Sequence, residues 1–141
     1  MRKNNENTNA FLIHISAFTG YLFPFGSIIV PLILWQSQKG KSQFLDEQGK
    51  EAVNFNISYA LYTFLLSITA IPFVFGSFFS HFNDFNNFDF NFSHGGWLGI
   101  FGFASIAGVI AIIKIALIII AALKSKEGED YRYPFTIKFI K

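Results

Sequence analysis

The chain has 141 residues, enough for one small domain; 52% are apolar and 14% charged, where a soluble domain carries roughly 25% charge. Twenty phenylalanines present more aromatic surface than a soluble fold of this size can hide, so lipid is the expected solvent. The net charge of +2, without a single basic patch, argues against nucleic acid, and the lack of cysteine excludes disulfides, thiol catalysis and cysteine metal ligands.

The start, MRKNNENTNA, is polar, and the apolar run after it lacks a small-x-small cleavage pattern. The first hydrophobic segment is therefore expected to stay in the mature protein. A spanning helix needs about 20 mostly apolar residues to cross ~30 Å of hydrocarbon. Three blocks meet that length, at about residues 10–35, 52–79 and 97–123. The expected fold is an all-α integral membrane protein with about three transmembrane helices in one domain over 1–141. A short cytoplasmic helical lead-in precedes the second crossing.

The first block is interrupted. GYLFPFGSIIVP carries Gly20, Pro24, Gly26 and Pro31, and proline removes a backbone donor and clashes with the preceding turn. A kink or unwound stretch is expected near Pro24 and Gly26. One kinked crossing is the first reading. A re-entrant pair of half-helices is the alternative, and it moves the N-terminus to the other side. Ser42 or Asp46 can cap the helix that follows, and Pro72 is expected to kink the second crossing near its outer end.

Orientation follows the Lys/Arg distribution in the loops. The segment after the first block holds Lys39, Lys41 and Lys50. The tail 124–141 holds Lys124, Lys126, Arg132, Lys138 and Lys141. The Phe/Asn-rich loop between the second and third blocks has Asp84 and Asp89 and no Lys or Arg. The tail and the first loop are thus expected inside, and the Phe/Asn loop outside. Three crossings then put the N-terminus outside, against the mild contrary signal of Arg2 and Lys3. Trp35 and Trp97 stand at block ends, where indoles anchor at headgroup level.

Lys114 stands nine residues from Leu123, ~13 Å deep by helix rise. A charge at that depth is expensive and should face protein or a water-filled cavity, unless its stem snorkels out. Ala107, Ala111 and Lys114 share a helix sector, and small residues admit a close neighbour. Gly95, Gly99 and Gly102 form a second small-residue stripe. On the second crossing Glu51, Asn54, Ser58, Tyr62 and Thr69 share one face by their spacing. Matching depths bring Tyr62 and Ser58 opposite Lys114. Three readings stay open for this set: snorkelling, a structural polar contact, and a polar track for ions or protons.

His14, His81 and His94 have no second ligand at metal spacing, so no metal site is expected. The sequence contains no P-loop, HExxH, G-x-S-x-G or dinucleotide fingerprint, so neither a cofactor nor a catalytic residue is named. Gly128 can stop the last helix. After Pro134, Phe135, Ile137 and Phe139 alternate with polar residues, as in a surface-lying extended segment or a strand paired with another chain.

Three stretches carry a resemblance: HISAFTGYLFPFGSIIVPLILW, FLDEQGKEAVNFNIS and AALKSKEGEDYRYPFTIKFIK. With them the chain resembles a family of small bacterial membrane proteins grouped with the chloroplast translocon subunit Tic-twenty and the magnetosome membrane proteins MamF and MmsF. Its most specific pieces are residues 31–35, Gly49 to Ala52 with Asn54 and Phe55, and Gly128 with Tyr133 and Pro134. The Phe/Asn loop departs from any shared pattern. The resemblance implies an all-helical membrane protein and supplies no catalytic residues.

The leading expectation is a non-enzymatic structural or assembly protein of a bacterial cytoplasmic membrane, with lipid and copies of itself or membrane-complex proteins as partners. A translocation or membrane-biogenesis subunit is the alternative, by the Tic-twenty likeness alone. An oligomeric ion or proton pathway is the third.

Overall fold

The computed structural model describes the backbone of residues 2–82 and 94–141, and the side chains of 3–72 and 101–141. Most of the Phe/Asn loop, with Asp84 and Asp89, lies outside the described residues. So do the side chains of Trp97, His81 and His94 and the surroundings of Gly95 and Gly99. Among the described residues four α-helices form: α1 (Arg2–Ile15), α2 (Gly26–Gln38), α3 (Gln43–Phe82) and α4 (His94–Glu127), with a 3₁₀ helix, Ser16–Tyr21, after α1. No strand occurs among the described residues. The chain divides into two compact units, one of residues 1–61 with 114–141, the other of 62–113.

In the first unit the first hydrophobic block is two short helices that run antiparallel. The chain leaves helix at residues 22–25, beside Pro24. Thr19 Oγ1 donates to the carbonyl of Gly26 at 2.8 Å near the turn, and Asn9 Nδ2 donates to Gln38 Oε1 at 3.2 Å at the far end. A Cβ on Gly26 would fall against the Thr19 carbonyl, so the arms touch only because that residue is glycine. The fourteen residues of α1 rise ~21 Å and the thirteen of α2 ~20 Å, each short of a crossing. The block at 10–35, read first as one kinked crossing, is built here as two helices that reverse at residues 22–25. Pro31 sits buried inside α2, which continues through it.

The polar N-terminal stretch is helical because α1 docks. Ala10, Ile13 and His14 form its buried face, continued by Ala17 in the 3₁₀ helix that follows. At its start Asn7 Nδ2 donates to the Lys126 carbonyl at 3.2 Å, which sets the N-terminus beside the end of α4.

Ser42 caps α3: its Oγ accepts the Leu45 N–H at 3.2 Å. Residues 52–56 are all buried, so α3 is covered on every side there. Trp35 of α2 is packed at 2% exposure, its indole N–H on Asp46 Oδ1 at 2.9 Å. Its role is a helix–helix contact rather than the headgroup anchor read from its position at a block end. A Cβ on Gly49 would fall on that indole.

The buried face of α4 is Lys114, Ile118, Ala121, Ala122 and Ser125, again one helical stripe. The helix ends in a Schellman arrangement. Glu129 N–H bonds the Lys124 carbonyl at 3.0 Å and Gly128 N–H that of Ser125 at 3.1 Å, with Gly128 at φ 82°.

The second unit shows apolar side chains facing outward. Phe64, Ile71, Phe101, Val109 and Ile112 are all more than half exposed. Its hydroxyls turn back onto their own helix: Ser67 to Thr63, Thr69 to Leu66 and Ser105 to Phe101 carbonyls. A helix that satisfies its own polar groups and shows hydrocarbon suits a lipid environment. Pro72 lies inside α3, which runs on past it.

Candidate functional site

Four buried polar side chains from distant parts of the chain meet inside the first unit. His14 Nδ1 is 2.9 Å from the Tyr133 hydroxyl, and His14 Nε2 is 3.1 Å from Gln48 Oε1. Ser125 Oγ donates to the same Gln48 oxygen at 3.2 Å. These residues lie on α1, the C-terminal segment, α3 and α4, and none exceeds 5% exposure. The chemistry of the acceptor fixes the protonation state. Gln48 Oε1 can only accept, so His14 Nε2 carries its proton, and the Nδ1 of the neutral ring accepts from Tyr133. Burial pushes the Tyr133 hydroxyl well above its ordinary range, so it keeps the proton it donates. Its ring stacks on Phe55 with centroids 4.0 Å apart and an interplanar angle of 8°.

The C-terminal segment then follows the polar face of α3. Tyr133 N–H approaches Glu51 Oε2 at 3.4 Å. Ser58 Oγ accepts the Ile137 N–H at 2.8 Å and donates to the Asn54 carbonyl at 2.8 Å. Asn54 holds Ile140 at two points: Nδ2 donates to its carbonyl and Oδ1 accepts its N–H, both at 2.9 Å. An open cleft of about 230 Å³ lies alongside, with charges of both signs from Glu47, Lys50, Glu51, Asp130, Arg132 and Lys138.

Of the residues singled out in the sequence, Glu51, Asn54 and Ser58 do share a face, and what they face is the chain's own C-terminus. Lys114 is 7% exposed, and its Nζ stands 4.1 Å above the Tyr59 ring centroid. Its aromatic partner is thus one position past Ser58. Tyr62 opens the second unit and is 42% exposed. Ala107 is exposed, Ala111 half-buried, and nothing lies within 4 Å of where a Cβ on Gly102 would stand. Sequence reading found no partner for His14, passed over Gln48 and Ser125, and met Tyr133 only as part of the family resemblance. The usable signal was the imidazole itself, which when buried needs partners for both nitrogens.

Among the described residues no group of three metal-ligating side chains forms. The polar cluster is a linear hydrogen-bond network running Tyr133–His14–Gln48–Ser125. Its bonds join residues 34 to 119 positions apart, which makes it a lock between segments far apart in sequence.

The described residues thus define an all-helical chain with two segments, Gln43–Pro72 and Phe101–Glu127, long and apolar enough to cross a membrane. It matches the MamF/MmsF family, the magnetosome magnetite crystal formation protein family, over residues 5–140, and it belongs to that family. No curated protein and no solved structure matches it.

Proposed function

We propose that this is an integral membrane protein of structural or assembly type, working without catalysis in a bacterial membrane. The magnetosome membrane implied by its family description is the first compartment to test. The observation that carries the reading is the buried hydrogen-bond network of His14, Gln48, Ser125 and Tyr133. Its polar groups hold α1, α3, α4 and the C-terminal segment in one arrangement. In this reading α3 and α4 cross the bilayer. The α1–α2 hairpin is re-entrant, and both chain ends and the loop at Lys41 lie on the cytoplasmic side. The Asn7–Lys126 and Asn9–Gln38 bonds support that sidedness, because they gather Lys3, Lys39, Lys41 and Lys126 at one end.

Single cysteines at Lys3, Lys41 and Lys126 test the topology, since the chain has no thiol of its own. Ser125, beside Lys126, is fully buried and unsuited to labelling. All three sites should resist an impermeant reagent in intact cells and react after permeabilisation. Opposite behaviour of Lys3 and Lys126 overturns the hairpin. Affinity purification from native membranes tests the role. Recovery with further copies or with membrane proteins of the same compartment supports it; recovery only as a dispersed single chain overturns it.

A further inference from the structure

The backbone of residues 133–141 dips along α3 and returns. Tyr133 N–H lies at Glu51, Ile137 N–H at Ser58, and Ile140 back at Asn54. Arg132 and Lys138 sit with Glu51 in the charged cleft at the two ends of this excursion. Glu51 is also the last charged residue of α3 before Pro72, so the excursion passes the helix's charged end and enters its uncharged stretch.

Large apolar side chains face outward at the tip. Phe135 is 88% exposed, Ile137 41% and Phe139 50%. The backbone beneath them is supplied with partners from within the protein. Ser58 takes the Ile137 N–H, the Ile137 carbonyl accepts the Phe139 N–H, and the Asn54 amide meets both polar groups of Ile140. This pairing meets the requirement of a segment in hydrocarbon, where no water can complete the bonds. Arg132, Lys138 and Lys141 flank the tip and can extend their ammonium or guanidinium groups to the headgroups.

The conformation at the tip repeats a choice made elsewhere in the chain. Phe135 takes φ 58°, a left-handed backbone that bulky residues seldom adopt. The only other non-glycine with positive φ among the described residues is Phe25, at φ 62° in the turn of the α1–α2 hairpin, where Leu22 and Phe25 are 82% and 70% exposed. Glycine would relieve either turn. A phenylalanine kept there at a backbone cost gains only if its ring enters an apolar medium.

From these observations we infer that residues 133–139 form a re-entrant wedge that inserts Phe135, Ile137 and Phe139 into the acyl chains of the leaflet next to the charged end. The C-terminal segment is then a lipid-contacting element rather than a free cytoplasmic tail. The inference rests on α3 being a membrane crossing, and the test separates the two.

Nitroxide labels on single cysteines at Phe135, Phe139, Ile112 and Lys41 are read in the full-length protein in phosphatidylcholine/phosphatidylglycerol vesicles. Accessibility to oxygen and to a water-soluble nickel chelate is compared at each site. Ile112, 67% exposed on α4, reports the crossing, and Lys41 reports water. The expected result is that Phe135 and Phe139 follow Ile112, favouring oxygen over nickel several-fold. Nickel access at Phe135 and Phe139 with Ile112 still in lipid overturns the wedge and leaves the crossings intact. Nickel access at Ile112 overturns the crossing itself and the wedge with it. Shielding of Phe135 and Phe139 from both reagents means that protein covers them, which also overturns the wedge.

Discussion

The Asn54 side chain binds the backbone of Ile140 as a neighbouring strand would, giving one hydrogen bond to its carbonyl and taking one from its N–H, each 2.9 Å long. The two residues are 86 positions apart, and the amide fits both polar groups at once. Asn54→Ala leaves both without a partner in a largely covered site. The loss should be about 1–3 kcal/mol locally. It should appear as faster hydrogen exchange of the 137–141 amides, about tenfold for every 1.4 kcal/mol. Glu51→Ala should do much less, because its 3.4 Å contact with Tyr133 is long and the carboxylate is only half-buried. Equal exchange in Asn54→Ala and the parent protein would show that the C-terminal segment is held by other contacts.

The His14 network has a defined proton order that can be read directly. Nitrogen NMR of the protein labelled at histidine should show a neutral His14 ring protonated at Nε2. Tyr133→Phe deletes the hydroxyl while keeping the ring on Phe55. It leaves Nδ1 buried without a donor, at a cost of about 1–3 kcal/mol, seen as a lower unfolding temperature in detergent. Phe55→Leu lowers stability as well but leaves the histidine tautomer unchanged. An Nδ1-protonated ring in the parent protein contradicts the network.

Such partnerships explain which parts of the fold the sequence reveals. The runs that become α3 and α4 are legible from length and apolarity alone. The break at residues 22–25 is legible from Pro24 and Gly26. The reversal of direction there is not, because it depends on Thr19 meeting Gly26 and Asn9 meeting Gln38 across the gap. The face shared by Glu51, Asn54 and Ser58 follows from helical spacing. Its occupant does not, since nothing local links it to Ile137 or Ile140. The polar start of α1 hides a helix because its stability comes from docking Ala10, Ile13 and His14, not from propensity.

Glycine positions separate into two kinds, and substitution should distinguish them. Gly49→Ala drives a methyl into the Trp35 indole, which rests on the bare glycine backbone of α3. Overpacking of that kind costs about 1–3 kcal/mol, and here it should also loosen the Trp35–Asp46 bond. Intrinsic Trp35 fluorescence would then move, after the Trp97 signal is removed by Trp97→Phe. Gly102→Ala meets nothing within 4 Å and gains helix propensity of up to about 1 kcal/mol. It should be neutral or slightly stabilising. A clear loss at Gly102 would mean that this face is covered by another chain, and a neutral Gly49→Ala would mean that α2 and α3 separate readily.

Lys114 is the one charge within the apolar run of α4, and the Tyr59 ring face below its ammonium is what the described contacts offer it. A desolvated cation over an aromatic face is worth up to about 2 kcal/mol. Removing the charge and removing the ring should therefore have unequal effects. Lys114→Met keeps the stem, fills the same space and removes the desolvation cost, so stability should change little or rise. Tyr59→Leu keeps the buried charge and strips away its partner, and it should destabilise more. The double variant should recover most of that loss, because no cation then remains to be satisfied. Unfolding of the four proteins in one detergent closes the cycle. A coupling of about 0.5–2 kcal/mol is expected; additive effects would show that the ammonium and the ring only happen to be neighbours.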